Sequence, residues 1–355
     1  MLQDAYNRKI DYLRISVTDR CNLRCVYCMP ETGIVTKPHG EILSFEEIYA
    51  IVNTAAGLGI RKVRVTGGEP LVRKDLVLLI KKLKEIKGLK EICLTTNGTY
   101  LSEHALSLKQ VGLDRINISL DSLVKEKFKR ITRGGDLEEV FRGIEAALSA
   151  GFNPLKINVV LMKGFNDDEV PDFINLAKTR PLHIRFIEYM PTFSPSLRAP
   201  TLTLNEVKRK GRGEAISDEI ASVASRKRDP VYWTLPRNDG VAHDLFFSCQ
   251  TAKKILSGMK NQKDFTGQVE FISPLSEPFC SSCNKLRLTS DGWLRSCLHS
   301  SRGVNLKDAV RNGVPKDVLA GLIMKAAALK PKSHNLSVVP ANIDAENFSM
   351  CQIGG

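Results

Sequence analysis

Cys21-Asn22-Leu23-Arg24-Cys25-Val26-Tyr27-Cys28 puts three cysteines into eight residues, with three residues between the first two and two between the last two. A cubane iron–sulfur cluster wants a thiolate on each of its four irons, so three cysteines hold three irons and leave the fourth open. An open iron takes a small molecule that chelates through an amine and a carboxylate. S-adenosylmethionine (SAM) carries that pair, and an electron from the cluster can break its sulfonium bond to release a 5′-deoxyadenosyl radical. Structural zinc is the competing use of close cysteines. It usually takes four ligands from CxxC-type pairs, and this spacing does not supply two such pairs. A disulfide framework fits poorly, because the chain has nine cysteines, an odd number, and Met1–Asp11 lacks the apolar core of a secretory signal.

A second group is Cys280-Ser281-Ser282-Cys283, with thirteen residues between Cys283 and Cys297. Here spacing leaves two readings. CxxC is the usual half of a zinc site and His299 can complete it, while three thiolates equally suit a second open cluster. Cys93, Cys249 and Cys351 match no such spacing and read as core or incidental thiols.

Arg14, Arg64 and Lys156 fall in predicted strands, where a charge is expensive to bury without a partner. They point to an anionic ligand. The competing reading is internal salt bridging to Glu69, Asp121 or Glu188. Gly67-Gly68-Glu69-Pro70 directly follows another predicted strand, where glycine lets the backbone approach a ligand closely. Taken alone, a Gly-Gly pair is usually a turn.

The elements that must position these residues alternate β-branched runs with helical patterns. Strands are predicted over residues 12–16, 62–66, 91–95, 115–120, 155–161 and 183–188. Helices are predicted from Ser44, where Ser44-Phe45-Glu46-Glu47 has the form of a capping box, to Leu58, then over 75–86, from Ser102, over 137–150 and from Asp167. Six β/α units imply a parallel sheet with right-handed crossovers. The pattern does not choose between a doubly wound sheet and a barrel, but both gather ligands at the carboxyl ends of the strands. The first cysteines, the Gly-Gly pair, Thr95, Ser119 and Met190 fall at those ends. Residues 191–267 are dominated by Pro, Ser, Lys and Arg, with helical fragments near Asn205 and over 217–225. A strand over 268–272 then leads into the second cysteine group.

Cys21, Cys25 and Cys28, with Tyr27 just before the last, match the signature of the radical SAM superfamily. The wider run from Leu13 through Asp19-Arg20-Cys21 to Met29-Pro30 resembles one member family, the GTP 3′,8-cyclases, which open molybdenum cofactor biosynthesis. The resemblance implies an α/β fold: an incomplete (β/α)6 TIM-like barrel of the radical SAM type, open on one side to admit a large substrate. A C-terminal extension would carry a second iron–sulfur cluster. The expected division is a radical SAM partial barrel over 1–191, a divergent connector covering the open side over 192–267, and an auxiliary-cluster region with a Gly-Gly tail over 268–355. The resemblance is strong over 11–191 and 268–299 and at the final glycines, and weak in the connector.

What the resemblance implies for single residues is specific. Cys21, Cys25 and Cys28 would hold one [4Fe-4S] cluster, and Cys280, Cys283 and Cys297 a second, whose open iron binds the purine of GTP. Gly67, Gly68 and Glu69 would hold the amino group of SAM, with further contacts from Tyr27, Ser119 and Met190. Without the family, Ser119 and Met190 read as ordinary strand-end packing. GTP would meet Arg14, Arg64, Thr95, Lys156, Lys285 and Arg287. Arginine suits a triphosphate because its planar fork makes paired hydrogen bonds to phosphate oxygens. Lys285 departs from the family, which usually has Cys-Asn-Arg-Leu-Arg where this chain has Cys283-Asn284-Lys285-Leu286-Arg287. It keeps the charge and loses the fork, which lowers the expected GTP affinity. The terminal Gly354 and Gly355 would reach the active site and assist catalysis with Arg14.

The implied enzyme is a lyase that converts GTP and SAM to 3′,8-cyclo-7,8-dihydro-GTP, 5′-deoxyadenosine and methionine. Expected partners are a second copy of the chain, an electron donor of flavodoxin or ferredoxin type, and cyclic pyranopterin monophosphate synthase as the next enzyme. The net charge of +13 favours anionic partners. Nucleic acid is the usual first reading of such a balance. Yet basic runs such as Lys81-Lys82-Leu83-Lys84 and Lys208-Arg209-Lys210 lack the interleaved aromatics that stacking on single strands requires. Unpaired cysteines imply a reducing compartment, the cytoplasm, or the mitochondrial matrix if the source is eukaryotic. The sequence contains no apolar run long enough to cross a membrane. Two rival readings are another twin-cluster radical SAM enzyme, such as one acting on a peptide, and a zinc module that binds nucleic acid. The first usually carries enough C-terminal cysteines to saturate its auxiliary clusters. The second predicts zinc, no SAM binding and salt-sensitive affinity.

Overall fold

A computed structural model describes residues 1–190, 249–259, 265–300 and 302–334. The expected fragments near Asn205 and over 217–225, Cys351 and the Gly354-Gly355 tail lie outside the described residues.

Six β/α repeats occur as the sequence pattern implies: β1 (Tyr12–Ser16), α1 (Phe45–Leu58), β2 (Lys62–Thr66), α2 (Leu76–Lys84), β3 (Glu91–Thr96), α3 (Leu101–Gln110) and β4 (Arg115–Ser119) come first. They are followed by α4 (Lys125–Thr132), α5 (Leu137–Ser149), β5 (Leu155–Leu161), α6 (Val170–Thr179) and β6 (Leu182–Glu188). The Ser44 capping box is present in full: its hydroxyl accepts from Glu47 N while Glu47 reaches back to Ser44 N. Helix α4 escapes periodicity because five of the eight residues of Lys125–Thr132 are charged, with only Phe128 and Ile131, one turn apart, as buried apolar side chains.

The strands run in the order β1-β2-β3-β4-β5-β6, all parallel. A doubly wound sheet reverses its strand order at a switch point. This one never does, and a monotonic order is what a barrel requires. Two faces are evident from burial. On β5, Leu155, Ile157, Val159 and Leu161 are buried, and Lys156, Asn158 and Val160 between them are not. On β6, Leu182, Ile184 and Phe186 alternate with His183 and Arg185. The apolar set packs with Phe173, Ile174 and the other helix residues in one core. The polar set lines the opposite face.

The same sheet continues at both edges. Strand β7 (Gln268–Ile272) lies parallel to β6, and β8 (Lys285–Leu288) parallel to β1. Beyond β8 run β9 (Trp293–Arg295) and β10 (Gly303–Asn305), both antiparallel. Helix α7 (Cys249–Ser257) precedes β7, and α8 (Lys307–Arg311) and α9 (Lys316–Ala328) follow β10. The C-terminal region is therefore bonded into the barrel sheet through β7 and β8.

Candidate active site

The first cysteine group occupies the loop beyond the carboxyl end of β1. Its backbone is held from two sides. Arg24 N and Val26 N donate to Thr132 O and Ile131 O, the last carbonyls of α4, at 3.0 and 2.9 Å. Arg133, at φ 54°, turns the chain after α4 and donates to the carbonyls of Arg24 and Met29. A helix end leaves its final carbonyls without intrahelical partners. Here the cysteine loop satisfies two of them. Sequence reading missed α4 and Arg133. The charged pattern hid the helix.

Gly67 and Gly68 follow β2 and press against the chain leading into this loop. A Cβ on Gly67 would stand 2.7 Å from Thr18 O, and one on Gly68 2.2 Å from Arg20 O. Gly68 N donates to Thr18 O at 2.7 Å and Glu69 N to Arg20 O at 2.8 Å. The close approach made possible by these glycines is thus to the chain's own backbone. Glu69 is buried, with its carboxylate committed within the protein: Leu71 N (3.0 Å) and Thr96 Oγ1 (2.7 Å) donate to one oxygen, Asn97 N (2.7 Å) to the other. Burial pushes this carboxyl up to about 7, against the pull of those three bonds. Asn97 then donates to Asn22 Oδ1 at 2.8 Å, with Cys21 Sγ 4.0 Å away, which links the Gly-Gly loop to the first cysteine.

Tyr27 donates its hydroxyl to buried Asp121 at 2.8 Å, and Val160 N donates to the other Asp121 oxygen at 2.8 Å. Burial pushes Asp121 up to about 6, opposed by these two bonds. Burial pushes the Cys25 thiol far up as well, with Asp121 and Cys21 adding to it. Such a thiol gives up its proton readily only to a coordinating metal. Ser119 closes β4 opposite Asn158, and Met190 follows β6.

The second cysteine group lies at the other end of the sheet, before β8 begins. Tyr12 on β1 pairs with Lys285 on β8, so Cys283 sits level with the amino end of β1. The β8–β9 hairpin pairs Arg287 with Arg295, and extending that register two residues brings Cys297 level with Lys285. The thirteen-residue gap between Cys283 and Cys297 is thus a hairpin that returns the third cysteine to the first two. Burial pushes the Cys283 thiol up, but the ammonium groups of Lys330 and Lys285 and hydrogen bonds outweigh it and hold it below the ordinary thiol range. His299 packs edge-on against His334 with ring centroids 5.3 Å apart, and burial, with His334 and Arg287, pushes it down to about 4. Among the described residues no three His, Cys, Asp or Glu side chains converge on one metal-ion position. Cys93 and Cys249 are buried in the core, as their spacing implied.

Between the two groups runs a band of cations. Arg14 is the register partner of Arg64 on one side and of Arg287 on the other. Burial, together with Arg287 and Arg64, pushes the Arg14 guanidinium down to about 9, still protonated at neutral pH. Arg64 is buried and donates to Tyr12 Oη (2.5 Å), Leu94 O (3.2 Å) and Thr95 Oγ1 (3.2 Å). Burial, Arg14, Arg287 and Arg185 push Lys285 down to about 8, and its Nζ lies 4.9 Å from the centre of the Phe279 ring. Lys156 stands on the same face, lowered by burial and by Arg185. The three carboxylates that sequence offered as neutralising partners are used elsewhere. Glu69 and Asp121 are accounted for above, and Glu188 accepts from Leu275 N, Ser276 N and Ser276 Oγ.

Arg185, His183, Asn117 and Asn158 share this polar face but escaped the sequence reading. Arg185 and His183 both reach Glu270 on β7, at 3.0 and 3.2 Å. Asn117 is buried between the Thr95 and Lys156 positions with its Oδ1 unpartnered. The alternation of β6 carried the signal for His183 and Arg185.

Comparison with known proteins agrees with this arrangement. The Radical SAM superfamily profile matches residues 15–177, and that for Molybdenum Cofactor Synthesis C matches residues 250–336. Proteins named GTP 3′,8-cyclase are similar along the whole chain. The one from Moorella thermoacetica is 45% identical over 354 residues, covering 100% of both chains. That from Petrotoga mobilis is 46% identical over 354 residues and 99% of both. Among solved structures, Streptococcus suis SuiB bound to S-adenosylmethionine has a TM-score of 0.52 at 15% identity, over 89% of this chain and 68% of that one. The same protein bound to precursor peptide SuiA gives a TM-score of 0.54 at 15% identity, over 90% and 68%. At that identity the likeness supports the fold alone.

Proposed function

This chain belongs to the GTP 3′,8-cyclase family of the radical SAM superfamily, and from that premise we infer how its own residues divide the work. The activity is the conversion of GTP and SAM to 3′,8-cyclo-7,8-dihydro-GTP, 5′-deoxyadenosine and methionine, in molybdenum cofactor biosynthesis. A [4Fe-4S] cluster and SAM are its cofactors. When bound, they supply a 5′-deoxyadenosyl radical able to take hydrogen from ribose C3′ of GTP.

The observation that carries the residue assignment is the placement of two cysteine groups at opposite ends of the β1–β8 pair, with Arg14 and Arg287 between them. Strand β1 has five residues, about 16 Å at the usual rise per residue. In our reading Cys21, Cys25 and Cys28 hold the cluster that binds SAM. The backbone of Gly67, Gly68 and Glu69, with Tyr27, Ser119 and Met190, fixes its methionine end. Glu69 acts by shaping the loop, since its carboxylate already has three donors. Cys280, Cys283 and Cys297 hold a second [4Fe-4S] cluster, against which the guanine sits. Arg14, Arg64, Thr95, Lys156, Lys285 and Arg287 take the triphosphate and ribose, excluding water and fixing C3′ toward the SAM end. Arg14, between both groups, and the Gly354-Gly355 tail are assigned to catalysis. The domain division at 191 and 268 belongs to the same reading.

Further proposals concern partners. A flavodoxin- or ferredoxin-type donor supplies the electron, a second copy of the chain completes a homodimer, and cyclic pyranopterin monophosphate synthase consumes the product. The eight cysteines among the described residues form no disulfide, which suits a reducing cytoplasm. Among the described residues no helix is long and apolar enough to cross a membrane.

Metal analysis tests the assignment. After anaerobic reconstitution the protein should hold about eight irons per chain, four per cluster. Replacing either triad by alanine should leave about four. Zinc in the C-terminal triad, or iron content unaffected by its replacement, would contradict the second-cluster reading.

A further inference from the structure

Lys330 follows α9 and is 4% exposed. Its Nζ donates to Lys285 O at 2.8 Å and to Ser296 O at 2.7 Å. Lys285 is two residues after Cys283, and Ser296 immediately precedes Cys297. One ammonium therefore joins the two arms of the β8–β9 hairpin at the point where both carry cysteines. The third cysteine is tied in by a second cation. Arg8 Nη1 donates to Cys280 O at 2.6 Å and to Lys332 O at 3.0 Å, and Nη2 to Pro331 O at 2.6 Å. Arg8 is itself anchored by Asp4 through Nε at 2.5 Å.

Arg8 is paired with a carboxylate and Lys330 is not: among the described residues, its hydrogen-bond partners are the two carbonyls. A buried cation lacking a counter-charge is costly. Cys283 and Cys297, which lie within two residues of the carbonyls this ammonium holds, supply negative charge in their thiolate form. A cluster held by those thiolates gains a further negative charge on reduction, and a fixed cation beside a ligating sulfur favours that reduced state.

We propose that Lys330 is a positioning residue for the C-terminal cluster: it fixes the separation of Cys283 and Cys297 and, as a built-in counter-charge, raises the reduction potential of the cluster they hold. The proposal rests on the reading of Cys280, Cys283 and Cys297 as cluster ligands. Arg8 completes the brace at Cys280, so the N-terminal segment and the segment after α9 are both structural parts of this cradle.

The test uses the full-length chain with Cys21, Cys25 and Cys28 replaced by alanine, which leaves only the C-terminal cluster for potentiometric titration followed by electron paramagnetic resonance. About four irons should remain. If none does, the second-cluster reading fails and this proposal falls with it. In that background Lys330→Gln keeps N–H donors but loses the charge. It should retain iron while the reduction equilibrium shifts about tenfold toward the oxidised state, a fall of about 59 mV for one electron. Lys330→Arg should keep the parent potential, and Lys330→Met, which loses the donors as well, should lose iron. Full iron with an unchanged potential in Lys330→Gln, or the same fall in Lys330→Arg, would overturn the proposal. A measurement free of any Lys330 variant guards against misfolding. With 15N-lysine and Lys285→Arg in the same background, the reduced cluster should show hyperfine coupling to one lysine Nζ, and its absence would equally overturn the assignment.

Discussion

Arg14 on β1 and Arg287 on β8 are register partners in a parallel ladder, so two guanidinium groups stand side by side on the polar face of the sheet. Arg64 flanks Arg14 on the other side. Each lowers the proton affinity of Arg14, after burial itself. Like charges placed this way oppose folding and favour an anion between them. In the reading proposed above, the triphosphate of GTP offsets this repulsion on binding.

Arg14→Gln should therefore separate affinity from stability. A charge-assisted hydrogen bond contributes about 1.5–3 kcal/mol, so GTP affinity should fall roughly 10- to 100-fold. Removing one of three neighbouring cations should leave the thermal midpoint unchanged or higher. Calorimetric titration with GTP and thermal denaturation of the same sample check both halves. A strongly destabilised variant with normal GTP affinity would return Arg14 to a structural role.

Gly68→Ala should damage the SAM end through backbone contact alone. Its Cβ would meet Arg20 O at 2.2 Å, on the segment that leads into Cys21. Overpacking of this kind costs about 1–3 kcal/mol and must displace the loop. SAM binding to the reconstituted protein should weaken at least tenfold while GTP binding, proposed to rest on the cations and the second cysteine group, stays within a factor of two or so of the parent. Equal loss of both ligands would argue for general unfolding.

How much of this was legible in the sequence depends on what kind of signal each feature leaves. Strands β1 to β6 declared themselves within a residue or so, because short segments such as Lys62–Thr66 and Leu155–Leu161 alternate apolar, largely β-branched residues with polar ones. The six clustered cysteines were legible from spacing. Strand order was not, since nothing local says that β8 pairs with β1. Without that pairing the second cysteine group could not be placed at the amino end of the sheet, opposite the first. Helix α4 was hidden by its charges, and Lys330 by looking like one more surface lysine in Lys330-Pro331-Lys332.

Lys285→Arg should tighten GTP binding several-fold. Lysine offers a point charge where arginine offers a fork that meets two phosphate oxygens at once. Lys285 already sits on the cationic face beside Arg14 and Arg287, so the longer guanidinium needs no new location. Lys285→Ala should weaken binding in the opposite sense. Titration of the two variants with GTP decides the matter, and identical affinities across the three proteins would show that position 285 does not touch the nucleotide.

Glu69 gives stability a pH dependence of known sign. Its folded-state value, about 7, lies above the ordinary value of 4.5. A carboxyl raised in this way binds its proton more tightly when folded. Its contribution is fully present below about pH 4.5 and is lost as the pH rises toward 7. Between pH 4.5 and 7 the wild-type thermal midpoint should carry a declining component that Glu69→Gln lacks. Parallel curves for the two proteins would place the titration elsewhere.

The most direct measurement follows hydrogen. Protein reconstituted anaerobically with iron and sulfide is given dithionite, SAM and GTP deuterated at ribose C3′, and the products are analysed by mass spectrometry. Deuterium should appear in 5′-deoxyadenosine together with 3′,8-cyclo-7,8-dihydro-GTP. Unlabelled 5′-deoxyadenosine, formed with GTP present but no cyclised product, would contradict the placement of GTP between the two cysteine groups.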